Sequence, residues 1–171
     1  MRSVDAFATA LNDLLVSTFH SILKLEEESL RRMGPYRLSI SEMHLLEAVA
    51  RGGDCGRSVS DIARELGITL PSVTAAVNKL EGKGFVTRTR SDADKRSVIV
   101  MLAPDGRRAE ASHRFFHRHM VSRVSDSLST AERDALLKGL NNLRAFFDQR
   151  ERALEGMDES AGSPARAEVR D

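Results

Sequence analysis

A mostly α-helical fold, with long helices at both ends of the chain and one small hairpin in the middle, is predicted by three observations. Apolar residues recur at helical spacing over 4–33, 39–50, 58–66, 70–81, 104–127 and from 129 onward. Only after Gly84 does the period fall from 3.6 to 2, over 85–90 and 97–102, on either side of a loop dense in turn formers and charge. Between the third and fourth helical stretches stands Gly67, which can take the positive φ of a helix C-cap and so allows a tight turn. Helix, turn, helix and hairpin in that order make a winged helix-turn-helix, an arrangement that lays its second helix in a major groove of duplex DNA.

The first stretch carries Phe7, Leu11, Leu14, Leu15, Phe19, Ile22, Leu23, Leu25, Leu30 and Met33 on one amphipathic pattern, closed by Gly34 and Pro35. A helix of about 30 residues is ~45 Å long, more than a small domain covers by itself. Part of this apolar stripe is therefore expected to pack against a second chain. Ser39 opens the next helix, and Glu42 three residues on completes a capping box; the core face is Ile40, Met43, Leu45, Leu46, Val49 and Ala50.

Val59, Ile62, Ala63 and Leu66 form the apolar face of the third helix, with Ser58 or Ser60 as its N-cap. In the fourth, Val73, Ala76, Val77 and Leu80 point inward and leave Ser72, Thr74, Ala75, Asn78 and Lys79 outward. Short side chains on an exposed face let a helix approach base edges. Ser60, Thr69 and Pro71, at the starts of the two helices, complete this candidate DNA-binding set. On the hairpin, Arg88 and Arg90 lead to Lys95 and Arg96 at the tip, cations suited to a phosphate backbone or a minor groove. Asp94 is placed to orient Arg96 rather than to face phosphate.

Pro104 begins the fifth helix, and Ser129 with Glu132 makes a second capping box ahead of Ala135, Leu136, Leu140, Leu143, Phe146 and Phe147. Past Glu155 the chain turns to Gly, Ser, Pro, Ala and charge, and a disordered tail is expected. The organisation expected is a dimerisation helix over 1–35, a DNA-binding lobe over 36–108, dimerisation helices over 109–154 and a tail over 155–171.

A net charge of +1 excludes little, but its distribution is informative. Residues 57–108 hold ten Lys/Arg against six Asp/Glu, and 151–171 three against six, so a basic middle is available to an anionic partner. No apolar run approaches ~20 residues, which together with the lone Cys55 predicts a cytoplasmic protein with no membrane association. No phosphate loop, nucleophile elbow or Cys-x-x-Cys is present, so an enzyme and a required cofactor are not expected. His113 and His117 stand at i, i+4, a metal-ligand spacing, with His44 and Glu26 on helices expected to pack nearby. Without a neighbouring sulfur or carboxylate that pair reads as part of a solvated basic face beside Arg114 and Arg118, and no metal is expected.

Residues 84–88 (Gly-Phe-Val-Thr-Arg), 92–96 (Asp-Ala-Asp-Lys-Arg) and 98–106 (Val-Ile-Val-Met-Leu-Ala-Pro-Asp-Gly) resemble the wing signature of the MarR family of bacterial transcriptional regulators, over roughly residues 5–150. The resemblance implies a homodimer whose terminal helices interleave and whose winged lobes each enter one major groove of an inverted repeat. Residues 22–27, 39–44, 113–121 and 138–143 further resemble the branch that represses fatty-acid biosynthesis genes. That resemblance implies acyl-acyl carrier protein as co-repressor, a crevice lined by Phe19, Leu23, Met43, Phe115 and Phe116, and a carrier-docking face at Arg114 and Arg118. A zinc-sensing branch takes a Glu and three His from the same regions, here Glu26, His44, His113 and His117. A small aromatic ligand is a further alternative within the family. A winged helix serving only protein interaction is the rival from another class, and the basic wing counts against it.

Overall fold

The computed structural model describes residues 6–32, 38–90 and 97–161. Its elements are α1 (Ala6–Arg32), α2 (Ile40–Ala50), a short 3-10 turn (Gly53–Cys55), β1 (Arg57–Ser58), α3 (Val59–Leu66), α4 (Leu70–Gly82), β2 (Val86–Arg90), β3 (Val98–Leu102), α5 (Pro104–Asp126) and α6 (Thr130–Ala161). Met33, Gly34, Pro35, Asp94, Lys95 and Arg96, all singled out above, lie outside the described residues.

Local chemistry sets the helix ends. Ser39 accepts from the Glu42 N–H and the Glu42 carboxylate accepts from the Ser39 N–H, so the capping box forms in both directions. Of the two candidate caps for α3 it is Ser58 that accepts, from the Asp61 N–H, while Ser60 lies exposed in the first turn. Gly67 takes φ 62° and ψ 30° and its N–H donates to the Ala63 carbonyl, which ends α3. Ser129 and Glu132 form the second reciprocal box.

The core joins α2, α3, α4 and the sheet. Met43, Leu45, Leu46, Val49, Ile62, Val73, Val77, Leu80, Val86 and Val100 are all buried, and Leu30 from the end of α1 joins them. The sheet is antiparallel in the order β1-β3-β2, with Arg88 opposite Val100 and Arg57 opposite the same residue on the other side. β1 was not expected: two residues show no period, and only pairing with β3 makes them a strand.

The chain divides into two compact units, Met1–His119 and Met120–Asp171. The first part of α5 thus belongs with the DNA-binding lobe, since Gly106, Ala109, Glu110 and His113 are buried there, and the boundary expected after residue 108 falls inside the first unit. α6 continues to Ala161, into the stretch expected to be a tail. Leu154, Glu155, Met157 and Glu159 are strong helix formers, and a helix already nucleated propagates through them.

α1 also departs from expectation. By length and composition alone it could cross a membrane, and none of that window is buried. Asn12, Asp13, Ser17 and His20 interrupt the apolar residues, so the helix is one-sided rather than uniformly apolar.

Candidate nucleic-acid interface

α4 carries the outward face that the sequence predicted. Thr69, Pro71, Ser72, Thr74, Ala75, Asn78 and Lys79 are all exposed, while Val73, Val77 and Leu80 lie beneath them. Thr69 is the N-cap: its hydroxyl accepts from the Ser72 N–H and pairs with the Ser72 hydroxyl at 2.8 Å. The Thr74 hydroxyl donates to the Leu70 carbonyl at 2.9 Å. Arg88 and Arg90, both exposed, flank this helix from β2. Small side chains on a capped helix beside strand arginines present the shape and charge that a major groove accepts.

Several of these residues are held by internal partners. The Lys79 ammonium sits 3.0 Å from a Glu42 oxygen, and Lys83 is 2.8 Å from both Glu42 oxygens. Burial pushes the Glu42 carboxyl up, but Lys83, the Ser39 N–H and Lys79 outweigh it and hold it below the ordinary value of 4.5. Glu42 thereby clamps the start of α2 to the end of α4. A depressed folded value means that the clamp is fully present well above 4.5 and is lost as pH falls through and below that value. Because Lys79 is largely exposed, Glu42→Gln should cost only about 1–2 kcal/mol near neutral pH. Urea denaturation should show that difference shrinking in acid below about pH 4, and a constant difference would contradict the assignment.

A second cluster joins α1, α2 and α5. Glu26 of α1, buried, lies 3.2 Å from His117 Nε2. His113, wholly buried, lies 3.0 Å from His117 and 3.5 Å from Glu47, and its Nδ1 has no hydrogen-bond partner among the described residues. The ligand atoms of Glu26, His44 and His113 lie within 4.8 Å of one another, as do those of Glu47, His113 and His117. Burial, then the neighbouring His117, pushes the His113 imidazole below its ordinary value. The expectation of a solvated basic face is therefore corrected for His113: α5 turns it into the lobe. Each set offers two imidazoles and a carboxylate, donors suited to a borderline divalent ion such as zinc, and the unpartnered His113 nitrogen fits a site built for one more partner. Glu47 was missed, although its place three residues after His44 on α2 was a readable signal.

The expected acyl-chain lining does not assemble as one wall. Met43 is sealed in the core, Phe19 and Phe115 are mostly exposed, Leu23 is half-buried, and Phe116 packs edge-on against His117. A cleft of about 500 Å³ instead opens beside Glu27, Leu30, Arg31, Leu38, Ser39 and Ile40. Met43 faces inward because α2 packs on α3 and α4 through that side. Arg114 lies near Glu110, at 3.4 Å, and Arg118 is exposed on α5.

These features define a winged helix-turn-helix DNA-binding protein. The sequence profile of the MarR family matches residues 38–97. FabT of Streptococcus pneumoniae, solved in complex with DNA, is 35% identical, superposes with a TM-score of 0.77, and is matched over 82% of this chain and 97% of that one. The chain belongs to the MarR family of transcriptional regulators. The HTH-type regulator YfiV of Bacillus subtilis is 31% identical over 62% of this chain and 65% of that relative, just under two thirds of its length. MepR of S. aureus, solved on DNA, shares the fold at a TM-score of 0.66 with 19% identity.

Proposed function

We propose that the protein is a homodimeric repressor that reads an inverted-repeat operator and controls fatty-acid biosynthesis genes, with long-chain acyl-acyl carrier protein as co-repressor. The observation that carries the DNA-binding part is the capped, small-residue face of α4 beside Arg88 and Arg90. Half-sites about 10 base pairs apart would let two lobes enter successive major grooves. Support for the dimer comes from apolar residues that α1 and α6 leave exposed, among them Leu14, Phe19, Leu137 and Phe147. Support for the co-repressor comes from the similarity to FabT across nearly all of that chain.

A second reading is favoured by one observation, the cluster of Glu26, His44, Glu47, His113 and His117. In it a divalent metal is the effector, held by imidazole and carboxylate and joining α1, α2 and α5.

The discriminating measurement is affinity for a duplex from the protein's own upstream region, with zinc or with acyl carrier protein bearing chains of increasing length. Under the first reading affinity rises by up to ~0.8 kcal/mol per buried methylene until the site is full, and Arg118→Glu abolishes the rise. Under the second, zinc changes affinity and His117→Ala removes the change. Indifference to every chain length would remove the acyl-carrier reading.

A further inference from the structure

Arg88 stands in β2 opposite Val100, and its guanidinium reaches back onto α4. Nη1 donates to Asn78 Oδ1 at 2.5 Å, and Nη2 donates to the Glu81 carboxylate. The Arg88 and Glu81 side chains are 35% and 36% exposed, so solvent screens the pair and it adds little stability. Its consequence is geometric. Asn78 and Glu81 are three residues apart on one helix face, and the planar fork of an arginine spans both. A guanidinium gripped at two points is less available to the nearest phosphate. It also engages one of the two lone pairs of the Asn78 amide oxygen and makes no use of the amide's N–H donors. An unengaged asparagine reads adenine by donating one hydrogen bond and accepting another. An amide whose oxygen already accepts from a cation is a poorer acceptor for the adenine N6 donor, while its N–H can still donate to guanine N7 or O6.

We propose that Glu81 is a specificity-determining positioning residue: by anchoring Arg88 against Asn78, it biases that amide toward donating to guanine and draws Arg88 away from sequence-blind phosphate contact. The inference rests on the DNA-binding reading above. Glu81 does not touch the base; it acts through Arg88 on Asn78, which does the reading.

The test is selection from a random duplex library by the full-length protein, in wild type, Glu81→Ala, Asn78→Ala and the double variant. The wild type enriches guanine at one position of each half-site. Glu81→Ala lowers the preference for guanine over adenine there by about tenfold, the share of one good base contact. Freed from the helix, Arg88 neutralises a phosphate, so the salt slope on random-sequence DNA steepens by about one unit. In the Asn78→Ala background Glu81→Ala changes the base preference no further, since it acts through that amide; a merely structural role would lower binding in both backgrounds alike. A guanine preference that survives Glu81→Ala within about twofold, or an equal further loss in the Asn78→Ala background, overturns the proposal. Failure of the wild type to enrich any sequence would instead overturn the DNA-binding reading on which it rests.

Discussion

Removal of residues 1–20 is expected to turn the proposed dimer into a monomer and to weaken operator binding by about 10²- to 10⁴-fold, the advantage of two linked half-site contacts over one. The buried residues of α1 are Glu26 and Leu30, both toward its C-terminal end, whereas Phe7, Leu14, Val16 and Phe19 are about half or more exposed. The deletion therefore leaves the core of the DNA-binding lobe untouched and removes apolar surface that the proposed dimer would cover. Leu14→Glu with Phe19→Glu in the full chain should act in the same direction, because each charge would have to be desolvated at the interface. Sedimentation gives the oligomeric state and fluorescence anisotropy the affinity. A stable dimer after the deletion, or an unchanged affinity, would remove the assignment of α1 to dimerisation.

Gly106→Ala should be strongly damaging for so small a substitution, at about 3 kcal/mol, or a fall in Tm of roughly 6–12 °C. Gly106 lies in the first turn of α5, where a Cβ would fall on the Phe85 carbonyl oxygen, 3.1 Å from its carbon and 3.3 Å from Leu102 Cδ2. That same carbonyl accepts from the Ala103 N–H at 2.9 Å, so it is fixed from the other side. Backbone cannot yield as a flexible side chain would, and α5 must lift from the sheet. Gly82→Ala, at the end of α4 with open space around its Cβ position, serves as the control and should be neutral or slightly stabilising. Equal melting temperatures for the two variants would show that α5 is not seated on Phe85 as described.

The sequence by itself determined what depends on neighbours within a few residues. Ser39 with Glu42, Gly67, and the spacing of Val73, Val77 and Leu80 specify helix ends and an inward face locally, and each forms as the pattern implies. The wing strands were readable too, since alternation over two short runs leaves one face for burial. The outcome for Met43 and the Glu/His cluster was settled only by packing. Whether Met43 lined a crevice or closed a core depended on which side of α2 met α3 and α4, and periodicity marks an apolar face without naming what covers it. β1 exists only as a partner of β3. Glu42 meets Lys83 from 41 positions away, Arg88 closes on Asn78 and Glu81 across a turn and a strand, and Glu26 reaches His117 from the opposite end of the unit. Each joins elements distant along the chain, and the position of a charged atom relative to its partner is set by how those elements stack, a quantity no local spacing carries.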